Sequence, residues 1–132
     1  MANTKKVNIT PHEGEEQARL FSWAEMQSYF HPELRLLFHI PNGGLRSKTE
    51  AARFQKEGVK SGVPDLLLPV PNGHWAGLFI ELKRREGGRV SPEQKAWIEA
   101  LRSQGYAAEV AHGWEEAAEL ITGYLANSPT KP

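Results

Sequence analysis

The chain contains no cysteine, which excludes disulfides and thiolate metal sites. It has no apolar run approaching a membrane span, and Met1-Ala2-Asn3-Thr4-Lys5-Lys6 lacks the apolar stretch of a secretion signal. A cytoplasmic protein without membrane contact is therefore the expectation. No phosphate-binding loop of the Gly-x-x-x-x-Gly-Lys type occurs, so no nucleotide cofactor is expected, and no Gly-x-Ser-x-Gly nucleophile turn occurs either. Histidines stand at 12, 31, 39, 74 and 112, never at His-x-His or His-x-x-x-His spacing. Charge of one sign is not in excess: 16 Lys and Arg balance 16 Asp and Glu. With 132 residues, 39% of them apolar, the chain has material for one domain with a real core.

What is present centres on Gly62-Val63-Pro64-Asp65-Leu66-Leu67-Leu68 and Leu78-Phe79-Ile80-Glu81-Leu82-Lys83. Two apolar runs separated by Pro71-Asn72-Gly73-His74 predict a hairpin. Paired residues in a hairpin keep a constant sum of numbers, so a turn centred on Gly73 sets Asp65 opposite Glu81. Lys83 shares a face with Glu81, two residues on. Two acids and a lysine thus meet at one end of a strand pair that is otherwise apolar. Buried charge has to be paired or bound to metal. Two explanations stand: an ion pair of Lys83 with Glu81, with Asp65 capping the turn after Pro64, or a site for a divalent cation. Mg²⁺ takes one or two carboxylates plus waters and phosphate oxygens, and a neighbouring lysine can orient water or steady phosphate charge.

The rest of the chain supplies a frame. Residues 1–11 read as a polar tail, 12–126 as one domain, and 127–132 as a second polar tail. Residues 13–30 have helical spacing through Gln17, Leu20, Phe21, Ala24 and Ser28, with Trp23 beside them. Glu13, Glu15 and Glu16 suit a helix N-terminus. After the break at His31-Pro32, residues 34–40 read as a strand and Pro41-Asn42-Gly43-Gly44 as a loop. A helix follows from Ser47 to Glu57, with Ala51, Ala52 and Phe54 inward and Gly58 as its stop. Ser91-Pro92-Glu93-Gln94 is a capping box with proline in the first helical position. Trp97, Ile98 and Leu101 form that helix's buried stripe, and Gln94 lies one turn earlier on it. A strand at 106–111 and a helix at 114–125 close the domain, with Glu115, Glu116 and Glu119 on the outer face. The fold class is α/β: a small mixed β-sheet flanked by helices, antiparallel in the hairpin and parallel across the βαβ unit.

The even charge balance conceals two basic blocks. Arg46, Lys48, Arg53, Lys56 and Lys60 precede the hairpin, while Lys83, Arg84, Arg85, Arg89 and Lys95 follow it. Each block alone suits a solvated surface as well as a phosphate-binding one, since phosphate binding needs local potential rather than net charge.

Val63-Pro64-Asp65 with Glu81-Leu82-Lys83 resembles the PD-(D/E)XK nuclease superfamily. With Ile40-Pro41-Asn42-Gly43-Gly44, Gly58-Val59-Lys60-Ser61-Gly62 and Ser91-Pro92-Glu93-Gln94, the chain is similar to the virus-type replication-repair nuclease (VRR-NUC) family in its small stand-alone phage or bacterial form. The resemblance runs from about Glu13 to Leu125. It implies a restriction-endonuclease-like core and a Mg²⁺- or Mn²⁺-dependent endodeoxyribonuclease. In that reading Asp65, Glu81 and the Leu82 carbonyl bind metal, Lys83 positions the attacking water, Gln94 sits beside the carboxylates, and Glu16 reaches the metal from the first helix. Asn42, Arg46, Lys48, Lys56, Lys60, Arg84, Arg85 and Arg89 would contact DNA. The resemblance also implies a homodimer acting on branched DNA in repair, as a Holliday-junction resolvase does, with Tyr29, Phe30 and Trp75 as interface candidates. A non-catalytic DNA-binding or dimerisation module, and a nuclease cutting plain duplex, are the alternatives.

Overall fold

The computed structural model describes residues 13–41 and 48–127. The first helix, α1, spans Glu13–Gln27. Leu20, Ala24 and Ser28 are buried and Gln17, Phe21 and Trp23 half-buried, the stripe that the spacing predicts. Pro32 then opens a 3-10 turn, Pro32–Leu36. Here the structure corrects the strand expected over 34–40: only Phe38–His39 forms a strand, β1. Leu34 and Leu37 are buried three residues apart, the 3-10 period, whereas Leu36 is 53% exposed. A short apolar run fits either element, and proline at the first position of the turn favours the helical one.

The second helix, α2, spans Lys48–Lys56 and ends before Gly58, whose φ of +97° suits glycine. Ala51 and Ala52, expected inward, are exposed, and Phe54 is half-buried. The helix buries no residue, and the Arg53 guanidinium lies 5.1 Å from the Phe54 ring centre. Ser47, expected as its N-cap, lies outside the described residues.

Three further strands, β2 (Leu66–Leu68), β3 (Leu78–Lys83) and β4 (Ala107–His112), complete a sheet of order β1-β2-β3-β4. β1 and β3 are both antiparallel to β2, and β4 is parallel to β3. Leu66 pairs with Ile80 and Leu68 with Leu78, the register that the constant sum predicts. The connection is broader than a tight turn. Asn72 is buried in it, accepting through Oδ1 from the His74 and Trp75 N–H groups at 3.0 and 2.9 Å.

The sheet's alternation separates two environments. Leu66, Leu68, Leu78, Ile80 and Leu82 share one core with Leu20 and Ala24 of α1 and with Ala117, Ala118 and Ile121 of α4 (Trp114–Ala126). The opposite side of the ladder carries Phe79, Glu81 and Lys83, with Asp65 and Leu67 across from them. There α3 (Pro92–Ser103) packs against β4, and the Phe79 and Tyr106 rings meet edge to face at 5.4 Å. Among the described residues, no helix is long and apolar enough to cross a membrane.

Candidate active site

Asp65 arrives at β2 through a tight approach. Gly62, at φ +95°, lies so close to α3 that a Cβ there would sit 2.9 Å from the backbone of Glu93. Only glycine meets both demands. Pro64 is fully buried beyond it. The Asp65 carbonyl accepts from the Ile40 N–H at 2.6 Å, joining the residue to the chain beyond β1. Its carboxylate Oδ2 accepts from the Leu82 N–H at 2.9 Å. Burial pushes the Asp65 carboxyl up, and the Leu82 N–H partly offsets this.

Glu81 stands in the middle of β3, 2% exposed. Its Oε2 accepts from Gln94 Nε2 at 2.9 Å and lies 3.3 Å from Lys83 Nζ. Its Oε1 is buried and meets no hydrogen-bond donor, and the Glu81 and Asp65 carboxyls lie close enough to share a proton. An unsatisfied buried acceptor costs about 1–3 kcal/mol, and more when charged. Burial first, and the Asp65 charge second, push the Glu81 carboxyl up to about 8. Lys83 is itself buried, and a Cβ on Gly88 would come within 2.8 Å of the Lys83 Cβ, so the loop after β3 closes directly over this lysine.

Gln94 reaches the pair from α3, where the expected capping box is fully formed. Ser91 Oγ accepts from the Gln94 N–H at 3.1 Å, and Gln94 Oε1 accepts from the Ser91 N–H at 2.8 Å. Asp65, Glu81, Lys83 and Gln94 are therefore brought together by β2, β3 and the start of α3.

Glu16 goes elsewhere. It is fully buried as its helical position suggests, but Oε2 pairs with Arg85 Nε at 3.0 Å and Oε1 accepts from the Trp114 N–H at 2.9 Å. Among the described residues, no three His, Asp or Glu side chains gather closely enough to hold one metal ion, so Glu16 does not join Asp65 and Glu81 in such a set. Arg85, expected at DNA, is engaged by Glu16 and by Glu115 at 3.0 Å. Its guanidinium is held more firmly protonated by that Glu16 bond. Lys48, Lys56, Lys60 and Arg89 are exposed and Arg84 is half-buried, while Asn42 and Arg46 lie outside the described residues.

The sequence reading missed the contacts of five residues. The Gly62 and Gly88 close approaches were not foreseen, although a glycine three residues before a strand acid and another in the loop after its lysine were visible. Glu115 and Glu116, read as solvated, are exposed but engaged: Glu115 with Arg85, and Glu116 through Oε1 with the His112 N–H at 2.7 Å. His39 is exposed, with Nδ1 3.1 Å from the Asp65 carbonyl.

The donor set fits a hard divalent cation. Two opposed carboxylates supply oxygens, one of which, Glu81 Oε1, is buried and without a partner. The accompanying lysine and amide both hold the other Glu81 oxygen.

A family model for the VRR-NUC domain matches residues 10–115. A solved structure described as a VRR_NUC domain protein superposes with a TM-score of 0.78 at 33% sequence identity, covering 89% of this chain and 91% of that one. No curated protein matches the chain.

Proposed function

We propose, from the premise that this chain belongs to the VRR-NUC family of PD-(D/E)XK-type nucleases, that it is a Mg²⁺- or Mn²⁺-dependent endodeoxyribonuclease acting on branched DNA as a homodimer. The observation that carries this reading is the opposition of Asp65 and Glu81, with Lys83 alongside and one Glu81 oxygen left without a partner.

In this proposal Asp65, Glu81 Oε1 and the Leu82 carbonyl hold the metal, which supplies charge neutralisation at the phosphate and a more acidic water. Lys83 Nζ orients the water that attacks phosphorus and steadies negative charge as it develops. Gln94 fixes the Glu81 carboxylate so that it does not swing away from that task. Glu16 serves as an anchor for Arg85 and the start of α4 rather than as a ligand. Lys48, Lys56, Lys60, Arg84 and Arg89, with Asn42 and Arg46, meet the DNA backbone. A dimer suits a four-way junction because two related strands need two related sites. Tyr29 and Phe30, 81% and 76% exposed at the end of α1, are its interface candidates, with Trp75 at 37%.

The test is cleavage of labelled four-way junction, flap and linear duplex with Mg²⁺ or Mn²⁺, beside Lys83→Ala. Paired symmetric nicks in the junction, lost in the variant, support the whole reading. Cleavage of flap or duplex alone retains the chemistry and removes the junction claim. DNA binding without cleavage under either metal assigns the chain to the non-catalytic module instead.

A further inference from the structure

Gln94 does two jobs with one amide. Oε1 completes the cap of α3 by accepting from the Ser91 N–H, and Nε2 donates to Glu81 Oε2. A glutamate at this helix position would cap equally well, so the cap does not call for an amide. Glu81 does, because a carboxylate facing it would bring like charge and no donor. The cap also decides which end of the amide faces the sheet. The Ser91 N–H takes the oxygen, which leaves the NH₂ end for Glu81. The amide is therefore oriented from the helix side.

The same turn of helix is fastened a second time. Gly62 abuts the Glu93 backbone, and Asp65 follows three residues later. One turn, Ser91 to Gln94, thus touches Glu81 through a side chain and the approach to Asp65 through the backbone.

We infer that Ser91 is a positioning residue for the Glu81 carboxylate: its Oγ holds the Gln94 backbone N–H and so fixes the first turn of α3, which keeps the Ser91 N–H on the Gln94 amide oxygen, Oε2 occupied and Oε1 presented to a divalent cation. This rests on the reading of Asp65 and Glu81 as metal ligands. Ser91 touches neither DNA nor metal, and it acts only through Gln94.

The test is Ser91→Ala, which removes the Oγ acceptor of the Gln94 backbone N–H and so loosens the first turn, while the backbone N–H at position 91 and the Gln94 amide stay chemically intact. Three readouts are taken on the full chain. The Gln94 side-chain NH₂ signal in NMR of the metal-free protein shifts toward that of a solvated amide. Mn²⁺ affinity by calorimetry weakens about 3- to 10-fold, one step short of the loss typical for a residue bonded directly to a ligand. Junction cleavage falls in kcat by a similar factor while KM for DNA stays constant. Ser91→Thr and Ser91→Asp, both good caps, restore all three readouts. Adding Ser91→Ala to Gln94→Ala weakens Mn²⁺ binding no further than Gln94→Ala alone.

A Ser91→Ala protein with lowered Tm but wild-type Mn²⁺ affinity and an unmoved Gln94 signal overturns the inference, as do additive effects in the double variant. Wild-type protein that binds Mn²⁺ but cuts no DNA refutes the nuclease reading alone, because the NMR and calorimetric readouts still decide the role of Ser91. Wild-type protein that binds no Mn²⁺ overturns both.

Discussion

Among the described residues two glutamates are buried, and their surroundings are opposite in kind. Glu16 has both oxygens occupied, one by Arg85 and one by the Trp114 N–H. Glu81 has one oxygen shared by Gln94 and Lys83 and the other facing no donor. Burial alone therefore does not mark a reactive acid. A carboxylate whose acceptor sites are filled joins α1, α4 and the loop after β3, and one left partly empty is poised to accept something else. The sharpest experiments pull these two roles apart.

The largest effect is expected at Lys83. Lys83→Ala should lower kcat for DNA cleavage about 10²- to 10³-fold, with DNA binding retained, because it removes the fixed charge beside the phosphate without touching the exposed basic residues. A variant with wild-type turnover would end the assignment of Lys83. At the other glutamate, Glu16→Ala should destabilise the fold by about 2–3 kcal/mol in urea titration, since it leaves the Trp114 N–H unpaired and Arg85 without its buried partner. Mn²⁺ affinity of the folded variant should stay within about twofold of wild type. A large loss of metal affinity there would abolish the distinction between the two glutamates and return Glu16 to the ligand set.

A smaller effect follows from Gln94→Glu. The capping box survives, so Tm should hold, while Mn²⁺ affinity drops about tenfold as the donor to Glu81 becomes a like charge. A Tm loss with unchanged affinity would assign Gln94 to the helix alone. The mildest effect is in pH. In the unfolded chain Glu81 ionises near its ordinary 4.5, whereas burial and Asp65 push it up to about 8 in the fold. Between those values the folded state binds the proton more tightly, so the metal-free protein loses stability as pH rises across that window. Calorimetric Tm should decline from about pH 5 to about pH 8, and Mn²⁺ should flatten the decline. A Tm that rises across the window would show that another group dominates.

Much of the site's geometry is legible in the sequence. The register came from the apolar runs and Gly73, and it set Asp65 against Glu81 although the connection proved broader than a two-residue turn. The cap at Ser91 was readable because its signals are local. What escaped is non-local or ambiguous. Nothing in the sequence indicates that Arg85 will find Glu16, so Arg85 read as free for DNA and Glu16 as free for metal. Glu16 stands one helical turn before Leu20 and is buried with it, but spacing does not say what a residue meets there. The run Leu36-Leu37-Phe38 lacked the length to separate strand from helical turn, and a proline four residues earlier carried the deciding information. On α2, amphipathic spacing suggested a covered face, but burial depends on tertiary neighbours that spacing does not name, and no residue of the helix is buried.

The place of β3 in the sheet has a consequence for how this protein loses activity. Leu78–Ile80 is paired along both edges, to β2 and to β4, Glu81–Lys83 continues the pairing with β4, and both Glu81 and Lys83 are buried. Amides on such a strand exchange with solvent mainly when the whole domain opens. The proposed chemistry therefore sits on the best-paired strand of the sheet, while helices such as α2 can fray without disturbing it. Partial heating or denaturant should divide a sample into molecules at full activity and molecules at none, so that residual turnover counts the folded fraction.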